Sequence, residues 1–338
     1  MKKIFIIIIL TLIVLVTSCS ENNKNSVVVY TSVDRNHSQP IFESFEKETN
    51  IEVLAVYDVE ATKTIGLANR LINEKNNPKA DVFWNGEILQ TIKLKENNVL
   101  EKYISNNTNL IPDKYIDFEN YYSSFGGRLK VFLVNTNILD ESDYPNSILD
   151  LINNNKIESN KIAISNPVFG TTSTYVAALY ALLGENSTYD LFSTILSKKV
   201  NILNGNAQVR DLVSNGKLSY GLTDSDDALS AINKGYPVKI IIPDQNKDSF
   251  GTLLIPNTVS LIKNGPNKKN GELFIDFLLD ISTTEKLIDS GWIQIPLRKT
   301  NNENIINIST IKTMDINYED IYKIYNNSSN DMIDLFIK

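Results

Sequence analysis

Short apolar runs alternate with amphipathic stretches along most of the chain. Residues 27–30 (VVVY) read as a strand buried on both faces. They lead through Asp34 to a helix with Pro40 near its first turn and Ile41, Phe42 and Phe45 on its inner face. Strands are predicted over 51–57 and 80–84, and helices over 61–74, with Ile65, Ala68, Leu71 and Ile72 on one side, and 87–96. The rhythm changes at 121–127, which holds paired glycines, before a strand over 128–134. A second series follows, with strands over 162–165, 200–203, 219–222 and 238–242 and helices over 172–183, 207–215 and 226–234. The apolar stretch 251–262 can return to the first series, ahead of helices over 271–279 and 284–289, an Asn-rich loop at 301–307 and a last helix over 318–325. Two strand–helix series predict two α/β lobes with mostly parallel sheets. The expected division is 27–125 with about 245–292, and 126–244 with about 293–338.

The start of the chain follows another pattern. Lys2 and Lys3 precede an apolar run from Ile4 to Val16, broken only by Thr11. As a helix it rises about 20 Å, short of a bilayer's hydrocarbon core of about 30 Å. A charged start, a short apolar middle and small residues predict an export signal over 1–18. Its exit, Val16-Thr17-Ser18-Cys19, resembles the bacterial lipobox, with Cys19 as the acylated residue, and polar 19–26 as a tether.

Composition removes several chemistries. The chain has 338 residues, 33 basic and 40 acidic, for a net charge of −7, so it carries no basic field for nucleic acid. One Cys and one His exclude an internal disulfide and a His- or Cys-built zinc site, and acylation of Cys19 would leave no thiol for a Cys-His catalytic pair. No GxSxG, HExxH or P-loop motif is present. An exported body of this kind is expected to be a binder, not an enzyme, and a monomer.

In α/β sheets ligands gather beyond the carboxyl ends of strands. Those positions supply the carboxylates Asp34, Asp58, Glu60 and Glu87 from the first series. The second supplies Thr171, Thr172, Ser173 and Asn206, plus Asp224, Asp226 and Asp227. Gly170-Thr171-Thr172-Ser173 opens a helix, where backbone N–H groups and hydroxyls suit either an anion or simple capping. Three acids within 224–227 either oppose a helix dipole or await a cation. Oxygen-only ligation by Asp34, Glu87, Asp224 and Asp226 suits a hard cation or an ammonium group. His37 lies about one helical turn past Asp34, more in keeping with a surface or capping position than a ligand, and Trp84 is placed to line the cleft.

Several segments resemble the extracellular solute-binding proteins of ABC importers, of the ferric-iron-binding type: 27–34 (VVVYTSVD), 42–50 (FESFEKETN), 57–64 (YDVEATKT), 80–87 (ADVFWNGE), 204–209 (NGNAQV), 220–228 (YGLTDSDDA) and 251–259 (GTLLIPNTV). The resemblance implies a two-lobe periplasmic-binding-protein-like fold of type II, with a hinge and a central cleft. It also implies a permease and an ATPase as partners, a membrane through acylated Cys19, and capture by closure without chemistry. In that family adjacent tyrosines hold iron where this chain has 223–227 (TDSDD), so the phenolates are replaced by carboxylates. The resemblance places a synergistic anion near 170–173 and Asn206, and acids at Asp34 and Glu87. Ferric iron, as transported ligand and not as cofactor, is therefore the first expectation. An aminoalkylphosphonate is the alternative, with its anion on Thr171, Thr172, Ser173 and Asn206 and its ammonium among Asp34, Glu87, Asp224 and Asp226. An exported hydrolase using Glu60 and Glu87 is the rival from another class.

Overall fold

The computed structural model describes residues 25–58, 65–109, 111–300 and 306–337. Cys19, the export signal, Glu60 and the Asn-rich loop over 301–305 lie outside the described residues.

Strands β1 (Ser26–Thr31), β2 (Glu52–Tyr57) and β3 (Val82–Asn85) alternate with helices α1 (Arg35–Thr49), α2 (Ile65–Glu74) and α3 (Ile88–Glu96). After β4 (Leu100–Glu101) comes the long β5 (Tyr122–Asn135). Then follow α4 (Asp150–Asn153), β6 (Ile162–Ser165), α5 (Gly170–Leu183), α6 (Glu185–Ser197), β7 (Asn201–Leu203) and α7 (Asn206–Ser214). Next are β8 (Tyr220–Asp224), α8 (Ser225–Asn233), β9 (Val238–Ile241) and β10 (Leu254–Ile262). The chain ends with α9 (Lys268–Leu278), α10 (Ile281–Asp289), β11 (Ile295–Pro296) and α11 (Tyr318–Phe336).

The sheets meet along one strand. Residues up to Leu129 of β5 pair with β10 in a first sheet ordered β2-β1-β3-β10-β5. From Lys130 onward β5 pairs with β8 and β9 in a second sheet, which continues β8-β6-β7. Parallel pairing holds within β2-β1-β3 and within β8-β6-β7. The pairs made by β5, β10 and β11 are antiparallel, because these strands cross or close the two parallel units. β11 lies against Gly126 and Gly127 in the first sheet. β5 begins at Tyr122, earlier than its apolar run suggests. Its paired glycines are strand residues: a Cβ on Gly127 would meet Ile255 O at 2.7 Å and one on Gly126 would strike Ile293 at 2.8 Å.

The cores follow from the helical periodicity. Ile41, Phe42 and Phe45 of α1 are buried with Trp84 and Phe274, and α1 ends on Asn50 in a left-handed conformation (φ 57°) whose N–H returns to Glu46 O. Pro40 sits in the second turn of α1, not the first. α6 was not foreseen, although Thr188, Leu191, Phe192 and Ile195 form its buried stripe. α11 packs on α5 and reaches α3 of the first sheet, so it spans both units. Among the described residues no helix is long and apolar enough to cross a membrane.

Candidate functional site

The carboxyl ends of β1, β3, β6 and β8 open onto one cavity of about 560 Å³, a size suited to a small solute. Asp34, Glu87, Thr171, Asn206, Asp224 and Asp226 all line it. Thr172 and Ser173, expected there too, turn away. Successive helical residues are rotated by about 100°, so Thr171 and its i+3 neighbour Thr174 face the cavity. Thr172 instead accepts from Lys130, and Ser173 Oγ donates to Gly170 O and shares a 2.9 Å bond with Tyr325. Thr171 does not cap α5, whose N-cap is Phe169. The expected aromatic wall is also exchanged: Trp84 is fully buried, and Trp292, edge-on to it at 5.3 Å, lines the cavity. His37 lines the cavity, with Nδ1 3.2 Å from Ser290 Oγ.

The acids of 224–227 do not wait for an outside cation. Lys130, wholly buried on β5, holds Asp224 Oδ1 at 2.8 Å. It also donates to Thr172 Oγ1 at 2.9 Å and Asn206 Oδ1 at 3.2 Å. Thr171 Oγ1 donates to Asp224 Oδ2 at 2.6 Å and accepts from Asn206 Nδ2 at 2.9 Å. Arg128, two residues earlier on the same strand face, donates to Asp226 Oδ2 at 2.8 Å and to Gly86 O at 3.0 Å, tying α8 to the β3–α3 turn. Arg210 donates to Asp227 Oδ1 at 2.9 Å. The counter-charge for all three acids is therefore internal, which corrects the reading of this run as one that needs a cationic ligand for relief.

The four acids named for a metal line this one cavity, but their oxygens are not close enough together to share an ion. Among the described residues the one carboxylate group tight enough to share an ion is Asp117, Glu119 and Glu319, and Lys95 already sits within 2.8 Å of each. Glu87 has a local task as the N-cap of α3, accepting from Leu89 N at 3.1 Å and Gln90 N at 3.2 Å. Thr174 Oγ1, from the other side of the cavity, donates to Glu87 at 3.3 Å. Burial pushes the Glu87 carboxyl above its usual range, against these bonds.

Asp227 carries a pH signature. Burial first, then the neighbouring Asp226 and Asp224 charges, raise its carboxyl to about 7 despite Arg210. The folded chain thus holds this proton more tightly than the unfolded one. Its destabilising contribution is absent below about pH 4, grows as pH rises, and is complete above about pH 7. Asp227→Asn removes that slope, so the variant's Tm relative to the unaltered chain is expected to rise between pH 5 and pH 8. A difference that stays constant across that range would refute the assignment.

Residues 77–322 match the family model of bacterial extracellular solute-binding proteins. The chain belongs to this family. The solute-binding protein is similar to periplasmic proteins named for 2-aminoethylphosphonate binding in Salmonella typhi, at 23% identity over 275 residues, 79% of this chain and 78% of that one. The Salmonella typhimurium relative stands at 24% over the same share. Among solved structures, the ferric binding protein of Campylobacter jejuni superposes with a TM-score of 0.78 at 20% identity, covering 92% of this chain and 99% of that one. Iron-bound HitA of Pseudomonas aeruginosa gives 0.79 at 18%, covering 91% and 99%. AfuA of Actinobacillus pleuropneumoniae, with exogenous fructose-6-phosphate bound, gives 0.74 at 21%, covering 92% and 98%. The solute-binding protein has their two-lobe fold, with β5 as a strand shared between lobes, and it serves solute capture for an ABC importer, as its sequence implied. Its family and its neighbours are binding proteins.

Sequence reasoning missed Arg128, Lys130, Arg210, Gln90, Thr174 and Tyr325. The signal for the first two was present: charged residues at alternate positions of an otherwise apolar strand point to one face.

Proposed function

We propose that the solute-binding protein captures a small zwitterion with a phosphonate or phosphate-ester anion at one end and an ammonium at the other. The observation that carries this reading is the internal pairing of Asp224 with Lys130 and Asp226 with Arg128. It leaves a cavity that offers groups of both kinds. The N-termini of α5 and α7, neither with a side-chain cap, open onto it beside the Arg128 guanidinium. Among them lie the buried Glu87 carboxyl and the Asp226 Oδ1, which has no hydrogen-bond partner. The relatives named for 2-aminoethylphosphonate binding support the same ligand class. Capture proceeds by lobe closure around the ligand, without chemistry, and the solute passes to a permease driven by an ATPase. The protein is a monomer, tethered to the membrane through acylated Cys19 after removal of 1–18.

Ferric iron with a synergistic anion is the second reading. It is supported by the ferric binding neighbours and by the entry of Asp34, Glu87, Asp224 and Asp226 into one cavity. Thermal unfolding after chelation separates the two. At a hundred times its Kd, 2-aminoethylphosphonate is expected to stabilise the fold by about 2.7 kcal/mol and to be recovered intact. A shift with ferric ion and none with the phosphonate would establish the second reading in its place, and turnover of the ligand would establish an enzyme.

A further inference from the structure

α3 opens with Glu87-Ile88-Leu89-Gln90, an acid at the N-cap and a glutamine three residues on. That is the spacing of a reciprocal capping box, in which the third residue's side chain returns a bond to the N-cap N–H. Only half of the box is made. Glu87 accepts from the Leu89 and Gln90 N–H groups. The Gln90 Oε1 makes no return bond and has no hydrogen-bond partner at all, although the residue is only 7% exposed. Gln90 lines the solute cavity, as do Glu87, Thr174 and Tyr325.

Buried acceptors are rarely left unmatched, and a residue that lines a cavity can find its partner there. The neighbours do not provide it. The Thr174 hydroxyl is spent on Glu87, and the Tyr325 hydroxyl bonds Ser173. The terminal nitrogens of Arg128 are engaged by Asp226 and by the Gly86 carbonyl. We propose that Gln90 Oε1, together with the buried Glu87 carboxylate, receives the N–H end of the captured solute and so determines which tail the cavity admits. This rests on the zwitterion reading and adds to it the residue that reads the tail. An ammonium there meets the unmatched acceptor and the Glu87 carboxyl oxygens together, whereas a methyl group meets neither.

Calorimetry with 2-aminoethylphosphonate and propylphosphonate tests the assignment, since the two differ only by ammonium for methyl. The unaltered protein is expected to prefer the amine by roughly 10- to 100-fold. Gln90→Met, of similar volume but without the acceptor, is expected to reduce that preference about tenfold, chiefly by weakening 2-aminoethylphosphonate, and Gln90→Glu to retain it. Equal affinity of the unaltered protein for both phosphonates overturns the Gln90 assignment alone, with no variant needed. So does a Gln90→Met protein that loses both ligands alike. Binding of neither phosphonate by the unaltered protein overturns the zwitterion reading and the tail site with it.

Discussion

Lys130→Met is expected to destabilise the protein by about 3–5 kcal/mol and to abolish solute binding, because it leaves the Asp224 carboxylate buried without its cation. Asp224 is 1% exposed, so water cannot replace the lost ammonium. The loss extends further, since the same ammonium holds Thr172 and Asn206, the first-turn residues of two helices that face the cavity. The effect belongs to the broken pair and not to the lost methylene packing. Accordingly the double variant Lys130→Met, Asp224→Asn is expected to regain more than half of the lost stability in urea unfolding, without regaining binding. A single variant that costs less than about 1 kcal/mol would show that the pair is solvated, and the account of the internal counter-charge would then fail.

Gly251→Ala is expected to cost about 2–5 kcal/mol from two separable sources. The backbone at Gly251 has φ 84°, a conformation that costs a side-chain-bearing residue about 1–2 kcal/mol. A Cβ there would also lie 2.7 Å from Lys312 O and from the Thr313 carbonyl carbon, and crowding of this kind costs about 1–3 kcal/mol more. Gly235, with φ 78° and open space around its added Cβ, is the control, and its alanine variant should lose only the first part. The position matters because Thr252, the next residue, donates to the Lys130 carbonyl and pairs with the tail at Thr313 and Met314. Equal losses at 251 and 235 in urea unfolding would mean that backbone conformation alone sets the cost.

Much of the architecture was legible because burial and period agree. β1 carries the apolar run Val27 to Tyr30 and β6 the run Ile162 to Ile164, largely buried, and the residues just past their ends reach the cavity. The length of α11 was not. The run Asn326-Asn327-Ser328-Ser329-Asn330 reads as a breaker by propensity, yet Tyr318, Ile321, Ser328 and Met332 keep one buried stripe against α5, and packing overrides the local preference. The candidate site was legible in place but not in charge. The positions of Asp224 and Asp226 follow from β8 and α8, whereas the lysine and arginine that neutralise them lie about a hundred residues earlier on a strand that looked like plain core. Local pattern places residues on a face, and it carries no record of which distant strand runs alongside.

The course of β5 and β10 also bears on when each sheet can be completed along the chain. The strands of the second sheet follow one another without interruption from Lys130 to Ile241. The first sheet stays incomplete until Leu254–Ile262 emerges, because β10 is the strand that fits between β3 and β5. A nascent chain stopped short of residue 254 therefore carries β3 with a bare backbone edge, a template for aggregation that only the late-arriving strand closes.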